Sequence, residues 1–407
     1  MKRFNCFLRT LSLVVFIFLT AGVYGQETVS RQQGMDSVEI SLLTCSPGTE
    51  VWSLYGHTAI RIQDLKNNED VVVNYGLFDY QQDNFILRFV FGLTDYQVGI
   101  SPYRLFLLEY AREGRSVVQQ TLHLSDEEKV AIINALTDNL QPINRVYRYN
   151  FFYDNCTTRA RDMITDHLQG KVEYAMDLET RRSYREMIHQ WNASHRWASF
   201  GCDLLLGLKA DFKTDFAHQQ FLPNTLQIDF DHANVVLPEG EKYALVDSTT
   251  EVLRANPDNV KTSTGIWDYI TPTILFFSLS IIVLLITIYE FVRRKTFWLL
   301  DVILLTLDGL AGLVLFVMIF SQHPTVSLNL QILLLNPLSI VFVYPVVNQE
   351  VKRGYHWYWD FLGICLLLFL VGGFFQSYAE GMTLLASILL IRVLVNRIIY
   401  KLPTKKK

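Results

Sequence analysis

Five apolar runs in the C-terminal third of the chain constrain the fold more than any other feature. They cover about residues 268–292, 297–320, 329–347, 358–375 and 382–400. Each run is close to the roughly 20 residues that an α-helix needs to cross the hydrocarbon core of a bilayer. The pattern predicts an α-helical membrane bundle of five spans within residues 266–407. The third run contains Pro337 and Pro345, so we expect it to be broken or re-entrant.

The charges between these runs predict their orientation. The breaks SQHPTVSLN and QSYAEGM contain no Lys or Arg. Basic residues instead follow the first, third and fifth runs, namely Arg293, Arg294, Lys295, Lys352, Arg353, Lys401, Lys405, Lys406 and Lys407. Positively charged breaks remain on the cytoplasmic side of a membrane. The chain that precedes the first run is therefore expected outside the cytoplasm.

The N-terminus has the features of a secretion signal. Lys2, Arg3 and Arg9 flank the apolar stretch LSLVVFIFLT, and AGVYGQ then places small residues where a signal peptidase cuts. We predict a signal peptide at residues 1–25; an uncleaved anchor is the alternative. Both leave residues 26–265 outside the cytoplasm. The net charge of −4 gives no indication of a nucleic-acid partner.

Residues 26–265 mix predicted strands and helices. VEISLLTC alternates as a strand does, and HTAIRI and VVVNYGLF flank a polar turn that predicts a β-hairpin. Helices are predicted from Ser101, from Ser125 with a capping box to Glu128, and from Cys156. These elements follow no regular βαβ order, which favours an α+β extracytoplasmic domain.

The stretch FFYDNCTTRARDMI places a cysteine at the start of a predicted helix. Asp154 or Asn155 can cap this helix, and Cys156 then lies in its first turn. There, free N–H groups and the helix dipole favour a thiolate, and two arginines further along add positive charge. Cys156 is therefore a candidate nucleophile, although a buried structural cysteine would have the same sequence position.

A thiolate nucleophile needs a base or an ion-pair partner, most often histidine. His57 begins the strand HTAIRI, whose alternation places Ile60 and Ile62 on a core face and His57 with Arg61 on a more polar face. An ordinary half-exposed strand histidine is the alternative. Less structured sequence surrounds the competing residues His123, His167, His189, His195, His218 and His232.

A third polar group should orient the imidazole ring. Asn74 is the first candidate because the hairpin places it roughly across from His57, and Asp79 is the second. Each is also explained as an ordinary polar residue at a strand end. Cys45, Cys156 and Cys202 are an odd number of extracytoplasmic cysteines, so at least one stays free or pairs with another chain. A Cys45–Cys202 disulfide that leaves Cys156 free is one possibility.

Taken together, LLTCSPG, YGHTAIRI, NYGLF, YDNCTTRARD, FGCDLLLG and the multi-span tail resemble the Lnb family of membrane-bound lipoprotein N-acyltransferases. The resemblance extends over essentially the whole mature chain. More distantly, a histidine on a strand followed by a cysteine on a helix is similar to permuted papain-like folds of the NlpC/P60 and lecithin:retinol acyltransferase kind. The resemblance implies a permuted papain-like, NlpC/P60-like core with Cys156 as nucleophile and His57 as base.

The resemblance also implies a reaction, partners and a location. Cys156 would take an acyl chain from the sn-2 ester of a diacylglyceryl-cysteine lipoprotein and pass it to the N-terminal α-amine of a lipoprotein cysteine. The partners would be diacylated lipoprotein and membrane lipid, in the inner (cytoplasmic) membrane. The sequence contains no metal or nucleotide motif, so no cofactor is expected. Two other classes stay open: a membrane-anchored thiol peptidase or amidase, and a non-enzymatic envelope assembly protein.

Four further residues are candidates for substrate binding. Asn155 adjoins the nucleophile, and Arg61 can bind an anionic headgroup, although an ion pair is equally plausible. His323 and Asn329 are predicted at the outer membrane surface, where ordinary helix capping explains them as well. The aromatic residues from Tyr147 to Tyr153 are interpreted as core and cleft wall. Within the membrane, Arg392 is predicted to lie against Asp301 or Asp308.

Overall fold

The computed structural model describes residues 35–78, 83–84, 87–88, 91–175, 181–260 and 265–401. The predicted signal peptide and Asp79 lie outside the described residues. The described chain consists of an α+β unit followed by a helical unit.

Ten antiparallel strands form two sheets in the α+β unit. They are β1 (Val38–Cys45), β2 (His57–Asp64), β3 (Glu69–Leu77), β4 (Asp95–Pro102), β5 (Val117–Leu122), β6 (Val146–Arg148), β7 (Lys171–Glu173), β8 (Asn234–Val236), β9 (Lys242–Ala244) and β10 (Val246–Leu253). The larger sheet has the order β10-β5-β1-β2-β3-β4-β6, and the smaller has the order β7-β8-β9. The predicted hairpin is confirmed, with Ala59 on β2 opposite Asn74 on β3.

Seven helices accompany these sheets in the described part of the α+β unit. They are α1 (Tyr103–Arg112), α2 (Asp126–Asn139), α3 (Cys156–Thr165), α4 (Tyr184–Asn192), α5 (Arg196–Leu205), α6 (Phe216–Gln219) and α7 (Pro223–Asp231). The capping box from Ser125 to Glu128 is confirmed at α2. The helix predicted with Ser101 as its N-cap and Pro102 in its first turn begins one residue later: Pro102 is the N-cap of α1, and Ser101 and Pro102 complete β4.

Both faces of the larger sheet are covered. Ile60 and Val73 belong to a core that also includes residues of α2, α3 and α7. On the opposite face Ala59 and Val72 pack with Phe106 of α1. The face that carries His57 is therefore covered along most of β2. On this face Ala59 and Arg61 are buried, and His57 and Gln63 lie half-buried towards the two ends of the strand.

The helical unit comprises α8 (Ile266–Tyr269), α9 (Pro272–Arg293), α10 (Trp298–Met318), α11 (Leu338–Val351), α12 (Tyr358–Gly372) and α13 (Met382–Lys401). Among the described residues, four stretches are long and apolar enough to cross a membrane: Pro272–Arg293, Trp298–Met318, Leu330–Val351 and Met382–Tyr400. The 15 residues of α12 form a shorter apolar helix. At 1.5 Å per residue it extends roughly 22 Å, less than the roughly 30 Å of bilayer hydrocarbon. The described residues therefore contain four candidate spans and one shorter apolar helix.

The third apolar run is broken, as its prolines predicted. A 3-10 turn at Leu330–Leu333 precedes α11, which begins only after Pro337. Pro345 lies inside α11, where proline cannot donate a helical hydrogen bond. The break lies where the chain turns from the outer surface into the bundle.

A buried ion cluster joins the helices of the bundle. Arg392 on α13 donates to both carboxylate oxygens of Asp301 on α10, at 2.8 and 2.9 Å, which confirms the predicted pairing. It also donates to Glu290 on α9 at 2.5 Å. Asp308 instead accepts hydrogen bonds from the Ser339 hydroxyl and the Asn336 N–H. Arg392, Asp301 and Glu290 are all fully buried. Lipid does not solvate charged groups, so the arginine and the two carboxylates neutralise one another.

Candidate active site

Asn155 caps helix α3 and thereby fixes Cys156 in its first turn. The Asn155 Oδ1 atom accepts the N–H groups of Thr157 and Thr158 at 2.8 and 2.9 Å, and the Thr158 hydroxyl accepts the Asn155 N–H at 2.9 Å. Such reciprocal capping satisfies N–H groups that the start of a helix leaves unpaired. Of the two predicted caps, the structure uses Asn155.

The remaining polar atoms of Asn155 are also occupied. Its Nδ2 atom donates to the backbone carbonyls of Phe151 and Phe221, each at 2.8 Å. The residue is buried, with 3% of its surface exposed. Asn155 was predicted to bind substrate, but this geometry leaves it no free hydrogen-bonding atom. It positions Cys156 instead.

Arg159 connects the start of α3 to the edge of the larger sheet. It forms a bidentate pair with Asp154, at 2.5 and 2.8 Å, and its guanidinium lies 3.5 Å above the ring of Tyr147 on β6. Arg161 pairs with Asp162 at 2.7 Å. Each arginine is thus paired with a carboxylate close to it in the sequence. The positive charge that the sequence predicted near the thiolate must therefore be supplied by another residue.

His57 supplies that charge. The Cys156 thiol at the start of α3 and the His57 ring at the start of β2 lie close enough for each to shift the pKa of the other. The two elements are joined one residue further on, where the hydroxyls of Thr58 and Thr157 lie 3.1 Å apart. Gly56 leads into β2 with φ of +86°, and a side chain there would collide with the Cys45 carbonyl oxygen. A glycine before His57 is therefore required by the backbone.

Asn74 orients the imidazole. Its Oδ1 atom lies 3.2 Å from the His57 Nε2 atom, and its Nδ2 atom donates to the Ser101 hydroxyl at 3.3 Å. Since Nε2 is occupied by Asn74, Nδ1 is the nitrogen left for Cys156. The structure thus brings Cys156, His57 and Asn74 together, in the order in which nucleophile, base and orienting group act.

The electrostatics of the pair favour a thiolate facing an imidazolium. Burial would raise the pKa of the Cys156 thiol, but His57, the Thr58 N–H and the Thr157 hydroxyl outweigh it and lower that pKa to about 7. Burial would likewise lower the pKa of His57, yet the Cys156 thiolate and the Asn74 hydrogen bond raise it overall. Opposite shifts of this kind activate a thiol nucleophile.

The two other extracytoplasmic thiols lack this activation. Cys45 is buried, and burial raises its pKa to about 12. Burial also raises the pKa of Cys202, whose sulfur lies 3.9 Å from the Tyr55 hydroxyl. Both are free thiols, so the disulfide left open by the sequence is not formed. Within the described extracytoplasmic residues, only Cys156 has a lowered thiol pKa.

The competing histidines have partners elsewhere. His123 lies 2.7 Å from Asp247, and His189 lies 2.8 Å from Asp203. The other rings contact their own helices or neighbouring residues, as in His167, His195, His218 and His232. Among these histidines, His57 is thus the one whose ring interacts with Cys156.

Arg61 lies on the same strand as His57 but is occupied by an ion pair. It donates to both Asp70 carboxylate oxygens at 2.8 and 2.7 Å and to Gln119 at 2.8 Å. Its guanidinium stacks on Tyr103 at 3.6 Å. The predicted headgroup contact of Arg61 is therefore replaced by the ion pair that the sequence also allowed.

His323 and Asn329 lie at the junction between the two units rather than beside Cys156. The His323 ring packs within 3.2 Å of the position that a side chain on Gly92 would occupy. Asn329 donates to the Leu204 carbonyl at 2.8 Å and accepts from Gln376 at the same distance. Asn329 thereby fastens α5 to the outer ends of the membrane helices, a structural role.

An apolar cluster places the nucleophile next to the membrane unit. Phe152, which precedes Cys156 by four residues, packs edge-on against Phe221, with ring centroids 5.2 Å apart. Both belong to an apolar cluster that also contains Met318, the last residue of α10, and Val326 in the loop that follows. The segment that leads into α3 thus shares an apolar core with the end of a candidate span.

These observations describe a candidate membrane protein whose α+β unit brings Cys156 and His57 together, with the thiol pKa lowered, and whose described helical unit contains four candidate spans. Residues 25–190 match the Lnb N-terminal periplasmic domain, and residues 262–403 match the Lnb transmembrane domain. The chain belongs to the Lnb family. Membership indicates a membrane protein of lipoprotein processing. No match was found among curated proteins or among solved structures.

Proposed function

We propose that the chain is a thiol-dependent lipoprotein N-acyltransferase of the inner membrane, with a permuted papain-like core and five membrane spans. One arrangement carries the proposal: Cys156 begins α3, His57 begins β2 with its ring held by Asn74 at 3.2 Å, the Thr58 and Thr157 hydroxyls join the two elements, and His57 lowers the pKa of the thiol. An assembly protein would have no use for this pairing. A nucleophile that follows a segment in one apolar cluster with the end of α10 suits an acyl donor that resides in the membrane.

In the first half-reaction, the Cys156 thiolate attacks the carbonyl carbon of the sn-2 ester in a diacylglyceryl lipoprotein. A C–S bond forms, the ester C–O bond breaks, and the glycerol oxygen takes the proton of the His57 imidazolium. The products are an acyl thioester on Cys156 and a lyso-form lipoprotein. Asn74 holds the ring so that Nδ1 faces the sulfur and the leaving oxygen.

In the second half-reaction, the α-amine at the N-terminal cysteine of a lipoprotein attacks the thioester. A C–N bond forms, the C–S bond breaks, and neutral His57 takes the proton that the amine releases. This regenerates the ion pair. Transfer to an amine rather than to water requires that water be kept from the thioester. The apolar cluster that contains Phe152, Met318 and Val326 supports such exclusion.

The test is acyl-enzyme trapping with the purified full chain and diacylated lipoprotein. Intact mass should show one added acyl chain on the wild-type protein and on Cys202→Ser, and none on Cys156→Ala. Cys156→Ser removes the thiol with the least change of shape and should form no thioester. In cells, loss of the protein should abolish the lyso form and N-acylation of lipoprotein N-termini. Unchanged lipoprotein N-termini would refute the transferase.

A further inference from the structure

Tyr147 lies on β6, at the edge of the larger sheet and beside the nucleophile. Its ring belongs to the main core, and 7% of the residue is exposed. A methyl group on Gly76 would lie 3.6 Å from the Cys156 Cβ atom and 4.0 Å from the Tyr147 hydroxyl oxygen. The hydroxyl and the nucleophile therefore border one small space above Gly76.

The Tyr147 hydroxyl is buried, and its hydrogen has no acceptor among the described residues. The Gly76 backbone lies near the oxygen and acts to lower the pKa of Tyr147, but a backbone N–H leaves the hydroxyl hydrogen free to be donated. The neighbouring Tyr75, in contrast, donates its hydroxyl hydrogen to Asn139 at 2.8 Å. A buried hydroxyl hydrogen without an acceptor destabilises the folded state, so its presence beside a nucleophile calls for a functional explanation.

Arg159 prepares this hydroxyl to donate. Its guanidinium lies 3.5 Å from the Tyr147 ring centroid, and its pair with Asp154 holds it there. A cation over the ring draws electron density from the hydroxyl and strengthens it as a donor. Burial, followed by the Cys156 thiolate, raises the pKa of Tyr147, so the hydroxyl keeps its hydrogen at neutral pH.

We propose that Tyr147 donates its hydroxyl hydrogen to the oxyanion that forms when Cys156 is acylated. As the C–S bond forms, the carbonyl π electrons move onto oxygen, and that oxygen needs two donors. The N–H of Cys156 at the helix start is one, and Tyr147 is the second. When the ester C–O bond breaks, the electrons return and the hydroxyl is released unchanged. This inference rests on the proposed acyl transfer at the same site.

The test separates oxyanion stabilisation from thiolate formation by using two probes on the full chain. p-Nitrophenyl acetate acylates a thiolate through a tetrahedral oxyanion, whereas iodoacetamide alkylates it without one. Tyr147→Phe should slow acylation about 100-fold, the usual effect of removing one oxyanion donor, and leave alkylation unchanged. Tyr75→Phe is the matched control, since it also removes a buried hydroxyl from this aromatic cluster, and both its rates should stay at the wild-type value.

Unchanged acylation in Tyr147→Phe would overturn the inference. Equal losses in acylation and alkylation would also overturn it, because the hydroxyl would then act through the thiolate. The unchanged alkylation rate serves as the measure of an intact site. Acyl transfer to lipoprotein by the wild-type protein is measured in a separate experiment. If that transfer is absent but Tyr147→Phe still slows ester acylation selectively, the proposed function fails and the donor role of Tyr147 stands.

Discussion

The His57 Nε2 atom lies 3.2 Å from the Asn74 Oδ1 atom, across the β2–β3 hairpin. This single contact fixes both the tautomer and the rotation of the ring, because an amide oxygen accepts only from a protonated nitrogen. The base that faces Cys156 is thereby Nδ1. In the proposed reaction, Asn74 would thus determine which nitrogen of His57 exchanges the proton.

Replacing Asn74 by alanine should slow acyl-enzyme formation about tenfold, since one neutral hydrogen bond contributes roughly 0.5–1.5 kcal/mol. The effect should appear in the acylation rate rather than in substrate affinity, because Asn74 acts through His57. Stopped-flow acylation under saturating substrate measures it. Ser101→Ala, which removes the group that accepts from Asn74 Nδ2, should cause a smaller loss. An Asn74→Ala protein with wild-type kinetics would remove Asn74 from the triad.

The pH dependence of Cys156 alkylation should reveal its ion pair. In the wild-type protein the thiolate forms as the pH rises through about 7, because the Cys156 pKa lies below its ordinary value of 9.0. In His57→Ala the partner is lost but burial remains, so the midpoint should move above 9.0. At pH 7.5 the alkylation rate should therefore fall by at least about tenfold. His123→Ala, at an exposed ring, should leave the profile in place.

The sequence predicted the pair but not its surroundings, for local reasons. Asn155-Cys156 and Gly56-His57 are encoded in short windows, where capping and strand alternation act between neighbours. The position of Asn74 roughly opposite His57 could be predicted from the sequence, because the turn of a hairpin sets which residues of its two strands pair. Tyr147 was read as core and cleft wall, and its ring is core. Only Gly76, far away in the sequence, shows that the Tyr147 hydroxyl and Cys156 border the same position, and no local pattern contains that information.

The same limit applies to the membrane unit. Arg392 and Asp301 stood out because charge is rare in apolar runs. Glu290 was missed because it lies near the end of its run, where a charge is ordinary. Its inclusion in the cluster depends on how α9 packs against α13, a tertiary contact. Arg61, His323 and Asn329 were polar residues in suitable positions, and their partners decided their roles.

Replacing Arg392 by methionine should destabilise the protein by about 3–5 kcal/mol, because it leaves Glu290 and Asp301 as unpaired buried charges. Thermal unfolding in detergent measures this. Arg397→Met is the matched control, since its pair with Asp360 at 3.4 Å is exposed and should contribute about 0–1 kcal/mol. The combined change Arg392→Met, Asp301→Asn and Glu290→Gln should recover part of the loss. Equal melting temperatures for both single variants would contradict a stabilising role for the cluster.

The cap of α3 should affect stability and reactivity together. Asn155→Ala removes the acceptor for two N–H groups and the donor to two carbonyls. Loss of an N-cap costs about 0.5–2 kcal/mol, so the free energy of unfolding should fall by at least this amount. Cys156 alkylation at pH 7.5 should slow as well, because the helix start that presents the thiol is no longer fixed.

Ser183→Ala provides the comparison that separates these two effects. Ser183 caps α4 with an equivalent capping box to Glu186, away from the Cys156–His57 pair. Its loss should lower the free energy of unfolding by about 0.5–2 kcal/mol and leave alkylation at the wild-type rate. If both cap variants lost stability while both kept wild-type alkylation, Asn155 would be an ordinary helix cap. The positioning of the nucleophile would then depend on the Thr58–Thr157 contact between β2 and α3 instead.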